Sequence, residues 1–418
     1  MEEIRVQISK NRDTYKLTRK EISDYLGLGK DGQKIVKEWE EGAFEVPYEY
    51  HEKIENLSEG KPYYQPEDQE YKFKFIDLFA GVGGIRLGFQ KNNGKCVFTS
   101  EWDKFAQKTY HANFGEWPDG DITKIPSSSI PDHDILLGGF PCQAFSQAGL
   151  KKGFSDPRGT LFFDVQRILV EKRPKAFLLE NVKQLKGHDK GRTLKTILNV
   201  LQGNNELSKE DLKELRESLS DDAFKALSEK LNYHVFYKVL NANEYGVPQN
   251  RERVYIVGFD KNQAPEGFDF EAHFSYPEPV KVKPKVGDIL FDNKNVHEKY
   301  TLSEKLWSGH LRRKEEHKKK GNGFGFCLFN KESSYTNTIS ARYYKDGSEV
   351  LVDQSDLNKI PRKLTPRECA RLQGFPEDFI VPVSDMQAYK QFGNSVATPV
   401  IEKIAANMVK TLEKAKMI

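Results

Sequence analysis

The chain has 418 residues, of which 37% are hydrophobic and 30% are charged. That length exceeds one compact domain and predicts two or three domains with a sizeable core. No apolar run reaches the ~20 residues that a membrane helix needs, and the N-terminal residues lack a signal-peptide core. The formal charge of +3 is too small to indicate nucleic-acid binding by itself.

The four cysteines are scattered and form no Cys-x-x-Cys pair. This spacing argues against a disulfide framework and against a cysteine zinc site. We therefore expect a cytoplasmic protein that has no metal site.

Residues 1–60 predict a small helical unit. Thr18 and Glu21 match a capping box, and apolar residues then recur at helical spacing. Gly27-Leu28-Gly29 predicts a turn before a second helix. This plan resembles the helix-turn-helix of phage-repressor-like regulators and predicts DNA binding, although a helical appendage packed on the body remains an alternative. Residues 61–72 are polar and predict a linker.

Residues 73–260 begin with a strand, a glycine turn and a helix, which is the first half of a nucleotide-binding unit. The turn is not Gly-x-Gly-x-x-Gly and no Gly-Lys-Ser/Thr follows, so another adenosine ligand is expected before a dinucleotide or a triphosphate; an ordinary turn is the alternative. Glu101 follows the second strand about 20 residues later, where a carboxylate can hold ribose hydroxyls. Trp102 can stack on adenine, and Asp121, followed by Ile122, can bond the adenine amine.

The buried strand Ile135-Leu136-Leu137 ends in a glycine turn and leads into Phe140-Pro141-Cys142. A thiol on a stiff loop at the carboxyl edge of a sheet suits a nucleophile. The alternative is a small buried hydrophobic residue, as most lone cysteines are. Residues 147–156 predict a loop that can close over a substrate.

Glu180 directly follows another buried strand and is expected on the same rim as Cys142. An acid that begins a helix is the alternative interpretation. Arg251 and Arg253 alternate on a predicted strand, so their guanidinium groups should share a face and hold a phosphate or a charged intermediate. Two structural ion pairs would explain these arginines equally well.

Residues 261–361 lack the alternation of strands and helices and predict a second, smaller domain. Within it, residues 336–348 mix polar, aromatic and basic side chains around an Asp-Gly turn. Such a surface can read base edges, or it can be an ordinary hairpin. Residues 362–418 predict a helix and a last amphipathic helix.

In order, these motifs resemble those of the DNA (cytosine-5) methyltransferases. The matching segments are Asp77–Gly84, Gly139–Ser146, Glu180–Val182, Gln249–Arg253, Arg362–Glu368 and Gly393–Ser395. The resemblance implies an α/β, Rossmann-like methyltransferase domain (73–260), completed by residues 362–418. It also implies a target-recognition domain (261–361) and a helix-turn-helix unit that represses its own promoter.

The resemblance implies that Cys142 attacks C6 of a flipped cytosine while Glu180 supplies a proton to N3. Arg253 would hold the base, with Arg251 alongside. C5 would then take the methyl group of S-adenosyl-L-methionine. The implied cofactor contacts are Asp77, Phe79, Gly81, Gly83, Glu101, Trp102, Asp121, Ile122, Pro141, Leu161, Asn394, Ser395 and Val396.

The implied DNA contacts are Ser146, Gln147, Thr338, Arg342, Tyr343 and Lys345. The stretch 342–348 is similar to that of enzymes that modify the inner cytosine of CC-W-GG or CC-N-GG sites. The resemblance further implies double-stranded DNA as substrate and a cognate restriction endonuclease as functional partner.

Three other functions remain possible at this stage. A transfer-RNA methyltransferase of the same family is disfavoured by the long variable region and the N-terminal unit. A non-enzymatic regulator is disfavoured by the intact Cys142, Glu180 and Arg253. A nicotinamide oxidoreductase leaves those residues and the recognition region unexplained.

Overall fold

The computed structural model describes residues 2–58, 60–140, 161–204, 216, 219–323 and 325–418, and the structural account concerns those residues. The N-terminal helices are α1 (Glu2–Thr14), α2 (Arg19–Leu26), α3 (Gly32–Glu40) and α4 (His51–Ser58). The large domain contains β1 (Phe73–Leu78), α5 (Gly84–Gln90), β2 (Gly94–Ser100), α6 (Lys104–Phe114), β3 (Ile135–Gly138), α7 (Leu161–Lys172), β4 (Ala176–Val182), α8 (Arg192–Gln202), α9 (Asp221–Ala226), β5 (Tyr233–Asn241), β6 (Glu252–Asp260) and α10 (Phe270–His273). The remaining elements are α11 (Glu304–Lys319), β7 (Leu328–Phe329), β8 (Leu351–Val352), β9 (Arg362–Lys363), α12 (Pro366–Leu372), α13 (Asp385–Asn394) and α14 (Thr398–Lys414). Within these ranges, no helix combines the length and the apolar composition that crossing a membrane requires.

Six strands of the described chain form one sheet in the order β2-β1-β3-β4-β6-β5. β1 pairs in parallel with β2 and β3, and β3 pairs in parallel with β4. β6 is antiparallel to both β4 and β5. The carboxyl ends of β3 and β4 therefore lie side by side, and the first residues of β6 reach the same edge. This arrangement confirms the mixed α/β fold.

Both faces of the sheet are covered, which explains the apolar runs in its central strands. On one face, Phe73 and Phe75 pack with α5 and with Ile404 and Met408 of α14. On the other face, Ile76 packs with α7 and α8. Helix α14 thus packs the end of the chain against the first strand.

The region predicted as a separate domain (261–361) shares packing with its neighbours at both ends. Phe270 and Phe274 belong to the core of the large domain. In a small sheet, β8 is parallel to β7 and antiparallel to β9, which lies beyond residue 361. Arg362 of β9 forms a fully buried ion pair with Glu368 at 2.8 Å. Nε of Arg362 also donates to Oδ1 of Asn293 at 2.9 Å, and Oε1 of Glu368 accepts from the amide of Phe291 at 2.9 Å. The buried pair therefore anchors the region to residues 362–418.

The N-terminal unit consists of four helices in the described residues, and α1 was not predicted. The capping box of Thr18 and Glu21 is present, and Val36 and Trp39 are buried as their helical spacing indicates. The core of this unit also includes Ala112 of α6. Lys108 of α6 forms a largely buried ion pair with Glu21. The unit is therefore seated on the helix that follows Glu101.

The segment predicted as a linker is held against β2 by Gln65. Its side-chain amide donates to the carbonyl of Gly94 at 2.6 Å and accepts from the amide of Cys96 at 3.0 Å. Because β2 is an edge strand, its outer backbone groups need partners, and Gln65 supplies them. The segment predicted as a linker is therefore bonded to the edge of the sheet.

Candidate active site

Glu180 and Arg253 meet at the edge where β4 and β6 pair. The antiparallel register sets Arg253 opposite Val182, two residues beyond Glu180. Nε of Arg253 lies 3.1 Å from Oε1 of Glu180, and the two side chains are 14% and 12% exposed. Burial raises the pKa of Glu180, and the charges of Arg253 and Arg251 lower it in part. A carboxyl group in this setting can hold a proton more readily than one in water.

The chain that leads to Cys142 lies against this pair. A Cβ atom added to Gly139 would be 3.7 Å from Oε2 of Glu180. Nδ2 of Asn181 donates to the carbonyl of Phe140 at 3.0 Å, and Phe140 is buried. The backbone just before the predicted nucleophile is therefore fixed beside Glu180. Four predicted site residues lie outside the described ranges: Pro141, Cys142, Ser146 and Gln147.

Arg251 is buried as well, but its guanidinium has different partners. Nη1 donates to the carbonyl of Ile339 at 3.1 Å, and Nη2 donates to those of Gly393 at 3.1 Å and Ser395 at 2.5 Å. Burial, together with the charge of Arg253, lowers the pKa of Arg251 to about 9. The predicted shared face of the two arginines is corrected, because Arg251 precedes β6 and binds carbonyls of the protein itself.

The glycine turn after β1 is tied to Glu101. The amide of Gly81 donates to Oε2 of Glu101 at 2.8 Å, and Glu101 is 7% exposed. Burial raises the pKa of Glu101, while the backbone amides of Asp103 and Gly81 lower it in part. Phe79, Gly81 and Gly83 have positive φ angles of 56°, 57° and 86°. The carboxylate predicted to hold a ribose thus lies directly at the turn.

Asp77 lies near the end of β1, just before this turn, and is fully buried. Its carboxylate oxygens make no hydrogen bond of ordinary geometry among the described residues, although the backbone amide of Arg86 lies close enough to lower its pKa. Burial raises the pKa of Asp77 to about 7, and the charge of Arg86 lowers it in part. A buried carboxylate that is only weakly bonded is costly, which is consistent with the raised pKa.

Residues 393–396, the closing segment, lie beside the same glycine turn. A Cβ atom on Gly84 would lie 2.9 Å from Oγ of Ser395 and 3.0 Å from a methyl carbon of Val396. Val396 is buried, whereas Asn394 is exposed. Residues from the two ends of the large domain are therefore brought together at the start of α5.

The other predicted cofactor residues occupy neighbouring loops and helix starts. Trp102 is 81% exposed, so its ring faces are available for stacking. Asp121 accepts a hydrogen bond from the amide of Thr123 at 3.1 Å. Ile122 is buried, and Leu161 is the first residue of α7.

The predicted DNA contacts separate into exposed and buried side chains. Arg342 and Lys345 are exposed, and Oγ1 of Thr338 donates to the carbonyl of Asn250 at 2.5 Å. Tyr343 is fully buried; its hydroxyl donates to the carbonyl of Val350 at 2.7 Å and accepts from the amide of Leu364 at 2.8 Å. Tyr343 is therefore corrected from a DNA contact to a core residue.

A model of the C-5 cytosine-specific DNA methylases matches residues 73–205 and 210–410. The chain belongs to that family. The type II methyltransferase M.SsoII of Shigella sonnei is 54% identical to this methylase over 411 residues, which cover 98% of this chain and 99% of that protein. The type II methyltransferase M1.ScrFI of Lactococcus lactis subsp. cremoris is also 54% identical, over 99% of this chain and 97% of that protein.

This methylase is thus a DNA (cytosine-5)-methyltransferase, which confirms the predicted enzyme class. Among solved structures, the Entamoeba histolytica methyltransferase EhMeth superposes with a TM-score of 0.61 at 21% identity. That match covers 83% of this chain and 99% of that chain. At this identity the likeness supports the fold alone.

Two residues of this methylase with amide side chains belong to the site, although the sequence analysis did not select them because it looked for charged and nucleophilic groups. Asn181 fixes the carbonyl of Phe140, as described above. Gln249 is fully buried; its Oε1 accepts from the amide of Ile339 at 3.1 Å, and its Nε2 donates to the carbonyl of Leu372 at 3.0 Å. Both residues lie inside motifs of the family resemblance, so their position within those motifs could have identified them from the sequence.

Proposed function

We propose that this methylase flips one cytosine out of a specific site in double-stranded DNA and transfers the methyl group of S-adenosylmethionine to C5. The observation that carries the proposal is the largely buried pair of Glu180 and Arg253 beside the backbone of Gly139 and Phe140. C6 of a stacked cytosine is out of reach, so the base leaves the helix at a cost of a few kcal/mol.

In this mechanism the thiolate of Cys142 forms a bond to C6 of the flipped base. Glu180 in its protonated form donates a hydrogen bond, or its proton, to N3 and so draws electrons from the ring. C5 becomes nucleophilic and takes the methyl group, whose bond to the sulfonium sulfur breaks, so that S-adenosylhomocysteine is the second product. Water then accepts the C5 proton, the bond between the sulfur of Cys142 and C6 breaks, and the proton at N3 returns to Glu180, which releases 5-methylcytosine and the thiolate. Arg253 keeps Glu180 in place and balances its charge when the proton has left.

S-adenosylmethionine supplies an electrophilic methyl group on a sulfonium centre. The corner formed by the glycine turn, Glu101 and the closing segment fits this cofactor. Glu101 is placed to accept bonds from ribose hydroxyls, and the exposed ring of Trp102 can stack on adenine. The weakly bonded carboxylate of Asp77 suits a nearby cationic ligand. The other proposed contacts are Phe79, Gly81, Gly83, Asp121, Ile122, Pro141, Leu161, Asn394, Ser395 and Val396.

For the target, we propose that residues 261–361 read the site through Thr338, Arg342 and Lys345. The two exposed cations precede a turn in which Gly347 has a φ of 67°, a conformation typical of glycine. Ser146 and Gln147 would contact the flipped base and the strand. The proposed site is CC-W-GG or CC-N-GG, with the inner cytosine methylated.

The N-terminal unit is proposed to bind promoter DNA as a helix-turn-helix. Helix α3 exposes Gln33, Lys34 and Lys37 on one face and buries Val36 and Trp39 on the other, which suits a helix that enters a major groove. The similarity over nearly the full chain to two type II methyltransferases supports a role in protecting sites from a cognate restriction endonuclease.

The test is methylation of a DNA pool that contains all short sites by the purified protein, with labelled S-adenosylmethionine and bisulfite mapping. Label on one cytosine within a fixed sequence is the expected result. Label on transfer RNA but not on DNA would contradict the substrate. Cofactor binding without label on either nucleic acid would contradict methyl transfer and favour a regulator.

A further inference from the structure

Two segments that are far apart in the sequence meet at Arg251. We name residues 338–341 the recognition segment and residues 393–396 the closing segment. One guanidinium donates to the carbonyl of Ile339 in the first segment and to the carbonyls of Gly393 and Ser395 in the second. Gln249 adds a bond to the amide of Ile339 at 3.1 Å. A single buried side chain therefore joins both segments.

The two segments are also in backbone contact. A Cβ atom on Gly393 would lie 2.3 Å from the carbonyl carbon and oxygen of Ser340 and 2.5 Å from the nitrogen of Ala341. On its other side the closing segment touches the glycine turn through Gly84, as described above. The contacts form an unbroken path from the glycine turn to the recognition segment, and densely packed groups transmit displacement along such a path.

The geometry of Arg251 requires an arginine. It is 2% exposed, and its two terminal nitrogens bond to different segments from one rigid plane. A lysine has a single nitrogen and cannot reproduce this fork. Nε of Arg251 has no hydrogen-bond partner among the described residues, so only its two terminal nitrogens hold the segments.

We propose that Arg251 is a positioning residue that couples the binding of target DNA to the binding of the cofactor. Ligand at the glycine turn fixes the closing segment, and the carbonyls of Gly393 and Ser395 then hold the guanidinium that orients Ile339. DNA bound at Thr338 should likewise strengthen cofactor binding through the same contacts, because coupling between two sites is reciprocal. This inference rests on the proposed function.

The test compares Kd values for S-adenosylhomocysteine and for a duplex containing the mapped site, each measured with and without the other. In the unmodified protein, each ligand should tighten the other by about 5-fold to 150-fold. In Arg251→Lys this factor should fall toward one. Arg86→Lys is the matched control, because Arg86 is fully buried near the turn but bonds to Tyr110 and Glu116. It should keep the factor.

A second measurement uses the unmodified protein and so does not depend on the folding of a variant. S-adenosylhomocysteine alone should slow hydrogen exchange at the amides of residues 339–341. Unchanged hydrogen exchange at the amides of residues 339–341 would overturn the coupling. So would an equal ratio of Kd values in Arg251→Lys and in the unmodified protein. Methylation by the unmodified protein would in either case leave the proposed function standing. Failure of the unmodified protein to bind either ligand would instead overturn the proposed function and the coupling with it.

Discussion

At Glu180, burial and two arginines act in opposite directions on one carboxyl group. Burial raises its pKa, and the opposing effect of Arg253 exceeds that of Arg251. The sequence predicted an acid here because Glu180 directly follows the apolar run Phe177-Leu178-Leu179; the structure places it within β4 and not after it. It could not show that Arg253 pairs with this acid while Arg251 does not, because the alternation in the sequence treats the two arginines alike.

Glu180→Gln should lower the methyl-transfer rate by about 10²–10⁴-fold, since a neutral amide cannot give a proton to N3. In the unmodified enzyme the single-turnover rate should fall as pH rises through the raised pKa of Glu180, because the protonated form is the active one. The variant has no such proton and should lack this alkaline decline. A variant that keeps both the rate and the decline would contradict the assigned role.

Tyr343 and Arg342 are neighbours in sequence with opposite environments. Tyr343→Phe removes one buried hydroxyl that makes two hydrogen bonds, so it should reduce the free energy of unfolding by about 1–3 kcal/mol. Arg342→Ala should weaken DNA binding and, if it contacts a phosphate, reduce the salt slope by about one. Denaturant unfolding and binding titrations in salt separate these effects. Loss of DNA affinity only in Tyr343→Phe would reverse the correction.

Among the elements, the glycine turn illustrates what a local pattern can establish. The apolar strand and the cluster of glycines predicted the turn, and its positive φ angles follow from it. The pattern could not assign a neighbour to each glycine. Gly83 lies against the ring of Phe114, 2.3 Å from an added Cβ atom, whereas no atom of the described residues lies within 4 Å of one on Gly81.

Gly83→Ala should therefore destabilise the fold more than Gly81→Ala. Both substitutions impose backbone strain of about 1–2 kcal/mol at positive φ. Only Gly83→Ala must also displace the buried ring of Phe114, which should lower the free energy of unfolding by about 1–3 kcal/mol more. Denaturant unfolding of the two variants measures the difference. Equal free energies of unfolding would show that the ring yields freely.

For the whole molecule, the sequence predicted the order of the parts but not how they join. The antiparallel direction of β6 and the seat of the N-terminal unit on α6 depend on contacts between distant residues, which no local pattern encodes. The charges of Glu21 and Lys108, for example, resemble ordinary surface charges until the fold brings them together.

Deletion of residues 1–58 should spare most methylation, because the described cofactor corner and the pair of Glu180 and Arg253 lie in the large domain. It should lower Tm by exposing Ala112, and it should abolish binding to a fragment with the gene's own promoter. Methylation assays, thermal melts and gel shifts test these outcomes. A deletion that loses all turnover would make the unit part of the catalytic fold.

The central claim is that Cys142 bonds to C6 while the methyl group reaches C5. A duplex with 5-fluorocytosine at the mapped position tests it directly, because fluorine on C5 blocks the proton loss that precedes release of the enzyme. With S-adenosylmethionine present, the unmodified enzyme should form a complex with this DNA that survives denaturation, and Cys142→Ser should form none. An equal yield from Cys142→Ser, with the cross-link mapped to another residue, would contradict the mechanism.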